Sequence, residues 1–204
     1  MKKIKNILFD LGGVIIDIDV NKTAQQMAFI LGLENPSNGD NVLNHEIFKQ
    51  YETGMLKSDE FIQALKNMAQ KDVQESKIME AWNAMLLHIP ERRVRLLENL
   101  MKKKRLFVLS NTNELHVNHF NKMIPGYSNL SQLFEKIYYS NEIGYRKPTK
   151  EAFHIVIKEN SIAPTETLFI DDTIENIKAA SEMNFQTLLV KGDKDITQLL
   201  AIKE

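Results

Sequence analysis

From residue 90 to the C-terminus, short apolar runs alternate with stretches of helical period, and this rhythm limits the fold more than any other feature. The pattern predicts a helix over 91–103, a strand over 106–109, a helix over 113–123 and a strand over 137–139. A loop over 144–148 follows, then a helix over 149–159, a strand over 168–170, a helix over 173–183, a strand over 187–190 and a short helix after Asp193. Strand, helix, strand, helix is the signature of a parallel sheet with right-handed crossovers. One further strand lies in residues 4–13, where Ile7, Leu8 and Phe9 run into Asp10, followed by Gly12 and Gly13. Near-continuous apolar runs of this kind belong to strands covered on both faces.

Between the first strand and the alternating part, residues 21–88 carry only helical signals. Asn21 is a plausible N-cap for a helix that ends at Gly32, and Asn35, Pro36, Ser37, Asn38 and Gly39 form a turn cluster. Val42, Leu43, Ile47, Phe48 and Tyr51 resume the helical spacing. After Gly54, Ser58 opens a segment with Phe61, Ile62, Leu65 and Met68 on one face, and a third runs from Ile78 through Trp82 and Met85 toward Pro90. Three or four helices inserted after a first strand predict a small helical lid with a core of its own. The expected organisation is α/β: a Rossmann-like parallel sheet core over 1–19 and 90–204, with an inserted α-helical cap over 20–89.

The residues that end the strands carry the chemistry. The first strand stops at Asp10, the second at Ser110 and Asn111, the third leads to Lys147, and the fourth stops at Asp171 and Asp172. Parallel strands place these ends on one sheet edge, where open α/β sheets bind ligands. Three carboxylates gathered there repel one another and call for a cation. Oxygen ligands favour a hard divalent ion, Mg²⁺ first. Lys147 then suits a point charge beside a phosphoryl group, with Ser110 and the backbone at Asn111 as donors to its oxygens. Asp10 is the candidate nucleophile, since carboxylates form aspartyl-phosphate intermediates.

Composition excludes several alternatives. The chain of 204 residues balances 26 Lys and Arg against 27 Asp and Glu, so a nucleic-acid footprint is not expected. The one basic cluster, 102–105, follows a helix and suits its C-terminal dipole. There is no Cys, hence no disulfide and no thiolate metal site. Lys2, Lys3 and Lys5 ahead of an apolar run imitate an export signal, but Asp10 interrupts that run, and no apolar run reaches membrane-spanning length. The expectation is a cytoplasmic protein. The sequence is silent on oligomeric state.

The four motifs, Phe-Asp10-Leu-Gly-Gly-Val, Leu-Ser110-Asn-Thr, Arg-Lys147-Pro and Phe-Ile-Asp171-Asp172, together resemble the haloacid dehalogenase superfamily. The finer wording is similar to the branch that contains bacterial α-D-glucose-1-phosphate phosphatases. The resemblance implies Asp10 as nucleophile and metal ligand, with the Gly12 carbonyl, Asp172 and Asp171 completing the Mg²⁺ site. It implies phosphate binding by Ser110 and Asn111, and a Lys147 that bridges nucleophile and phosphate. Asn176, one helical turn after Asp172, would support the metal shell. The partner would be a small phosphorylated metabolite.

One departure stands out. Phosphatases of this superfamily usually carry a second Asp two residues after the nucleophile, as acid for the leaving group and base for water, and here that position is Gly12. Asp17 and Asp19 are nearby alternatives, although each also reads as a polar face of the segment entering the cap. A metal-independent dehalogenase of the same fold, and a low-turnover phosphate-binding regulatory protein, are the competing readings. His116 and His119, three apart, read as surface or edge residues, and Trp82 as packing.

Overall fold

The computed structural model describes residues 3–32, 43, 45–69, 71–191 and 195–201. The chain opens with β1 (Asn6–Phe9), then β2 (Asp17–Ile18), and passes through α1 (Val20–Ile30), α2 (Glu46–Glu52), α3 (Ser58–Met68) and α4 (Glu75–Asn83) to β3 (Leu86–His88). It continues with α5 (Glu91–Leu100), β4 (Arg105–Ser110), α6 (Glu114–Phe120), β5 (Lys136–Tyr139), α7 (Ser140–Ile143) and α8 (Lys150–Asn160). β6 (Thr167–Asp171), α9 (Ile174–Glu182), β7 (Gln186–Leu189) and α10 (Ile196–Ala201) complete it.

The five longer strands pair in the order β5-β4-β1-β6-β7, every neighbouring pair parallel. Central β1 is buried at every residue: Ile7, Leu8 and Phe9 supply the apolar run, and Asn6 donates from Nδ2 to Thr167 Oγ1 at 3.1 Å. The pleat sorts its side chains: Ile7 and Phe9 face one apolar layer with Val94, Leu97 and Leu200, while Leu8 faces the other with Phe153 and Val156. Strands β4 and β5 extend the sheet on one side of β1 and β6 and β7 on the other. The order of connection therefore reverses at the carboxyl end of β1, where such sheets leave a crevice.

Helices α1 to α4 build a second apolar cluster from Met27, Phe48, Tyr51, Phe61, Leu65 and Trp82, joined by Leu115 of α6. Aromatic rings fill it: Phe48 stacks on Trp82 with centroids 5.2 Å apart, and Tyr51 on Phe61 at 4.1 Å.

Some sequence expectations need correction. Residues 21–88 are not free of strand, because β3 pairs antiparallel with β2, Asp17 opposite His88 and Ile18 opposite Leu86. This ribbon joins the two points where the chain leaves the sheet and returns. Its strands are too short for any period to register. The first helix is capped by Asp19, whose carboxylate accepts from the Asn21 N–H at 3.1 Å, not by Asn21. A short helix, α7, ended by Gly144 at φ +75°, precedes the expected loop. The turn cluster at 35–39, Val42 and Asp193 lie outside the described residues. Among the described residues, no helix is long and apolar enough to cross a membrane.

Candidate active site

Asp10 is the first residue beyond β1. Its N–H still donates to the Ile170 carbonyl at 2.9 Å, so the sheet fixes its backbone, and its Oδ1 accepts from the Leu11 N–H at 2.7 Å. Asp171 is the last residue of β6 and fully buried. Its carboxylate accepts from the Thr173 N–H at 2.8 Å and from Asn176 Nδ2 at 3.0 and 3.1 Å. Asp172, the next residue, is exposed, and its carboxylate lies against Gly13. Any Cβ at Gly13 would fall 2.1 Å from Asp172 Oδ2, and the backbone there holds φ +69°, so only glycine fits. Oxygens of Asp10, Asp171 and Asp172 all come within 4.8 Å of one another.

Lys147 closes the group. Its Nζ lies 2.8 Å from Asp10 Oδ1 and 2.7 Å from Asp171 Oδ2, with only 3% of the residue exposed. The lysine is aimed by Asn111, whose Oδ1 accepts from the Lys147 N–H at 2.8 Å while its Nδ2 donates to the Lys147 carbonyl at 2.9 Å. The Asn111 amide thus spends its oxygen and one of its two N–H groups on Lys147. Ser110 sits buried at the end of β4, and the loop after it is pinned by buried Ser140. The Ser140 hydroxyl accepts from the Thr112 N–H at 2.9 Å and donates to the Thr112 carbonyl at 3.0 Å.

The electrostatics follow from burial. Desolvation pushes the Asp10 carboxyl up to about 7; Lys147 pulls against this, and Asp171 and Asp172 add to it. Asp172 is raised by burial first and by Asp171 second. Burial pulls the Lys147 ammonium down, but Asp10 and Asp171 more than offset it, leaving lysine above its ordinary value. With all three carboxylates ionised, the one ammonium leaves two negative charges in excess, the repulsion that adds to burial in raising Asp10 and Asp172. That imbalance matches a divalent cation, and Asp172, the exposed member, leaves the group open to solvent.

Sequence reasoning brought Asp10, Ser110, Asn111, Lys147, Asp171, Asp172 and Asn176 to one edge, and the fold does place them there. His116 is different. It is buried, not at the surface: its Nδ1 accepts from Asn113 Nδ2 at 3.2 Å, and its Nε2–H donates to the Trp82 carbonyl at 3.0 Å. Its ring stacks on Trp82 at 4.8 Å, and Trp82 Nε1 donates to Asn113 Oδ1 at 3.1 Å. Trp82 is packing, as its spacing suggested. His119 is exposed.

Several joining residues gave no signal in the sequence. Ser140 and Asn113 pin the loop after β4, and Glu52 of α2 pairs with Arg146 at 2.7 Å, beside Lys147 in the chain. A Cβ at Gly54 would fall 2.1 Å from the Asn141 carbonyl oxygen, so α2 ends in direct contact with the segment leading to Lys147. A polar residue that matters through one distant partner has no local pattern to betray it.

Comparison with known proteins gives one consistent result. A family model described as haloacid dehalogenase-like hydrolase matches residues 4–184. The chain is 34% identical over 205 residues to the D-ribitol-5-phosphate phosphatase of Bacteroides thetaiotaomicron, covering 98% of each protein. A haloacid dehalogenase family enzyme of the same organism was solved in complex with magnesium and inorganic phosphate. It superposes with a TM-score of 0.84 at 33% identity, covering 96% of this chain and 98% of that one. A HAD-like family hydrolase of Porphyromonas gingivalis superposes with a TM-score of 0.87 at 28% identity, covering 98% of both chains.

Proposed function

Because the chain belongs to the haloacid dehalogenase-like hydrolases, we propose that it hydrolyses a small phosphomonoester, a sugar or sugar-alcohol phosphate, by way of a phosphoryl group carried on Asp10. The observation that carries this reading is the buried Lys147 ammonium set between Asp10 and Asp171 at the sheet edge. A dehalogenase attacking carbon has no use for two further carboxylates beside its nucleophile, which would repel a haloacid.

The donor set fits a hard divalent cation: carboxylate oxygens in excess, close together, with one exposed member. Asp10, Asp172 and the Gly12 carbonyl would hold Mg²⁺, with Asp171 direct or through water. The relative solved with magnesium and phosphate supports that choice. When bound, the ion supplies charge neutralisation for the phosphoryl oxygens. The chain's own groups do the rest. Asp10 presents a carboxylate oxygen to phosphorus. Lys147 holds that carboxylate in place and balances charge on the phosphoryl group, while Ser110 and the backbone at Asn111 donate to its equatorial oxygens. Asn176 fixes Asp171. Residues 20–89 act as a cap over the crevice and contribute the surface that selects the leaving group.

The choice between an anomeric phosphate such as α-D-glucose 1-phosphate and a terminal one such as D-ribitol 5-phosphate lies with that surface. The phosphatase relative supports the second. The test is phosphate release from both compounds and from p-nitrophenyl phosphate, with Mg²⁺ and with EDTA. Release that requires Mg²⁺ and falls by at least ~10⁴-fold in Asp10→Asn is expected. Full activity in Asp10→Asn would overturn the proposal.

A further inference from the structure

We propose that Arg93 and Asp195, far along the chain from Asp10, are positioning residues for the cation: they clamp the turn over 11–16 that carries the Gly12 carbonyl, and so set the affinity of the site for Mg²⁺. This rests on the metal-dependent phosphatase reading above.

Arg92 and Arg93 stand in the first turn of α5, where the helix dipole favours acidic side chains. What holds them there is Asp195, the residue before α10. Its Oδ2 accepts from Arg93 Nε at 3.0 Å and from Arg92 Nε and Nη2 at 3.0 and 2.8 Å. Its Oδ1 accepts from the Thr197 N–H at 2.9 Å and from the Thr197 hydroxyl at 2.8 Å. The other arm of the Arg93 fork turns to the opening segment, where Nη1 donates to the Ile15 carbonyl at 3.2 Å and lies 2.8 Å from Asp17 Oδ1. Asp17 in turn meets His88 across the ribbon, Oδ2 to Nε2 at 3.3 Å. One guanidinium thus joins the last helix, the first residue of β2 and the turn after Asp10.

Arg93 and Asp195 are both buried. Desolvating such a pair gains little stability over apolar packing of the same size. It does select one geometry, since a planar fork meets fixed acceptors in a single orientation. That geometry is what the network contributes.

The turn is stiff enough to pass it on. The Leu11 carbonyl accepts from the N–H groups of Val14, Ile15 and Ile16 at 3.2, 2.8 and 2.8 Å, and the Gly13 N–H donates to the Ile16 carbonyl at 2.9 Å. Val14, Ile15 and Ile16 are buried in the apolar layer that also holds Val94 and Leu97 of α5 and Ile196 and Leu200 of α10. A displacement at Ile15 therefore carries Gly12 and Gly13 with it. Gly13 lies against the Asp172 carboxylate, and the Leu11 N–H donates to Asp10 Oδ1. The Gly12 carbonyl and the carboxylates on either side of it take their places from this turn, and the turn takes its place from Arg93.

The experiment measures binding of Mn²⁺ by electron paramagnetic resonance, and its displacement by Mg²⁺, in EDTA-stripped protein shown by urea unfolding to be folded. Asp195→Asn keeps an acceptor for Thr197 but removes the charge that holds Arg93. It should raise the dissociation constants of both ions by about 2- to 30-fold. Arg93→Lys, a point charge that cannot fork between Asp195 and Ile15, should do the same. The two together should lose no more than the larger single loss, because they break one path. Arg92→Ala is the control: it takes a partner from Asp195 and lowers stability, yet leaves Arg93 on the Ile15 carbonyl, so the dissociation constants should stay at the parent's. Parental affinity in Asp195→Asn or in Arg93→Lys, additive losses, or an equal loss in Arg92→Ala each overturn the inference; if one of the first two variants does not fold, the other decides. Should the parent bind neither ion, or release no phosphate in Mg²⁺, the metal-dependent reading falls and this inference with it.

Discussion

The sheet edge and the seam beneath the helical block both join residues far apart in the sequence, but the first is held by buried charge and the second mainly by neutral groups. At the edge, one ammonium serves Asp10 and Asp171, and neither side can lose its partner without leaving a charge in low dielectric. At the seam, Trp82, Asn113 and His116 exchange hydrogen bonds in which every donor has an acceptor. Tyr51 accepts from the Leu115 N–H at 3.1 Å, and an ion pair there, Glu52 with Arg146, is half-buried. The difference teaches that the charged group at the sheet edge is built to stay and the helical block to be separable from the sheet at moderate cost.

The largest expected effect tests the charged half. Lys147→Met should abolish turnover and, measured by urea unfolding in EDTA, destabilise the fold by about 3–5 kcal/mol, because two carboxylates lose their compensation. Adding Asp171→Asn should restore much of that stability without restoring activity. If the double variant is no more stable than the single one, the edge is not held by charge in the way the distances imply.

A smaller effect tests the neutral half. Burial first, and His119 after it, lower the His116 pKa from 6.5 to about 4, against the hydrogen bond to Trp82, which raises it. A histidine depressed in the fold is neutral there while the unfolded chain takes up a proton. Its contribution is therefore present above about pH 6.5 and lost as pH falls toward 4, on the order of 3 kcal/mol in total. Other groups titrate in the same window, so the quantity to measure is the difference between the parent and His116→Gln in urea unfolding at pH 7, 5.5 and 4.5. The gap should narrow as pH falls; a constant gap would mean that the seam does not depend on a neutral imidazole.

The same contrast explains what could be read from the sequence. Apolar runs of three or four residues that lead into Asp10, Ser110 or Asp171 announce both the strand and its exit, because burial and termination are local properties. That the sheet is parallel followed from alternation alone, whereas its strand order appears only in the fold. Ser140, Asn113 and the Glu52–Arg146 pair were invisible, since each is an ordinary polar residue until the fold supplies a partner 28 or more positions away. His116 misled for the same reason: with no further ligand near it and His119 it read as a surface or edge residue, while Trp82 covers it. The ribbon of β2 and β3 escaped because two and three residues cannot establish a period.

The smallest effect asks whether the two regions are separable at all. Burial raises the Glu52 carboxyl and Arg146 lowers it, and Arg146 is bonded in the chain to Lys147. Replacing Glu52 by Gln keeps the shape and removes the charge. For a partly exposed pair the loss should be within ~1 kcal/mol, or up to about fivefold in an equilibrium constant. If the pair only orients the helical block, proposed above as the cap, that loss should fall on KM with kcat unchanged, because Lys147 remains held by Asn111 and by its two carboxylates. A matching fall in kcat would mean that the pull of Glu52 on Arg146 reaches the lysine, and that the helical block takes part in aiming the ammonium that balances charge among the carboxylates.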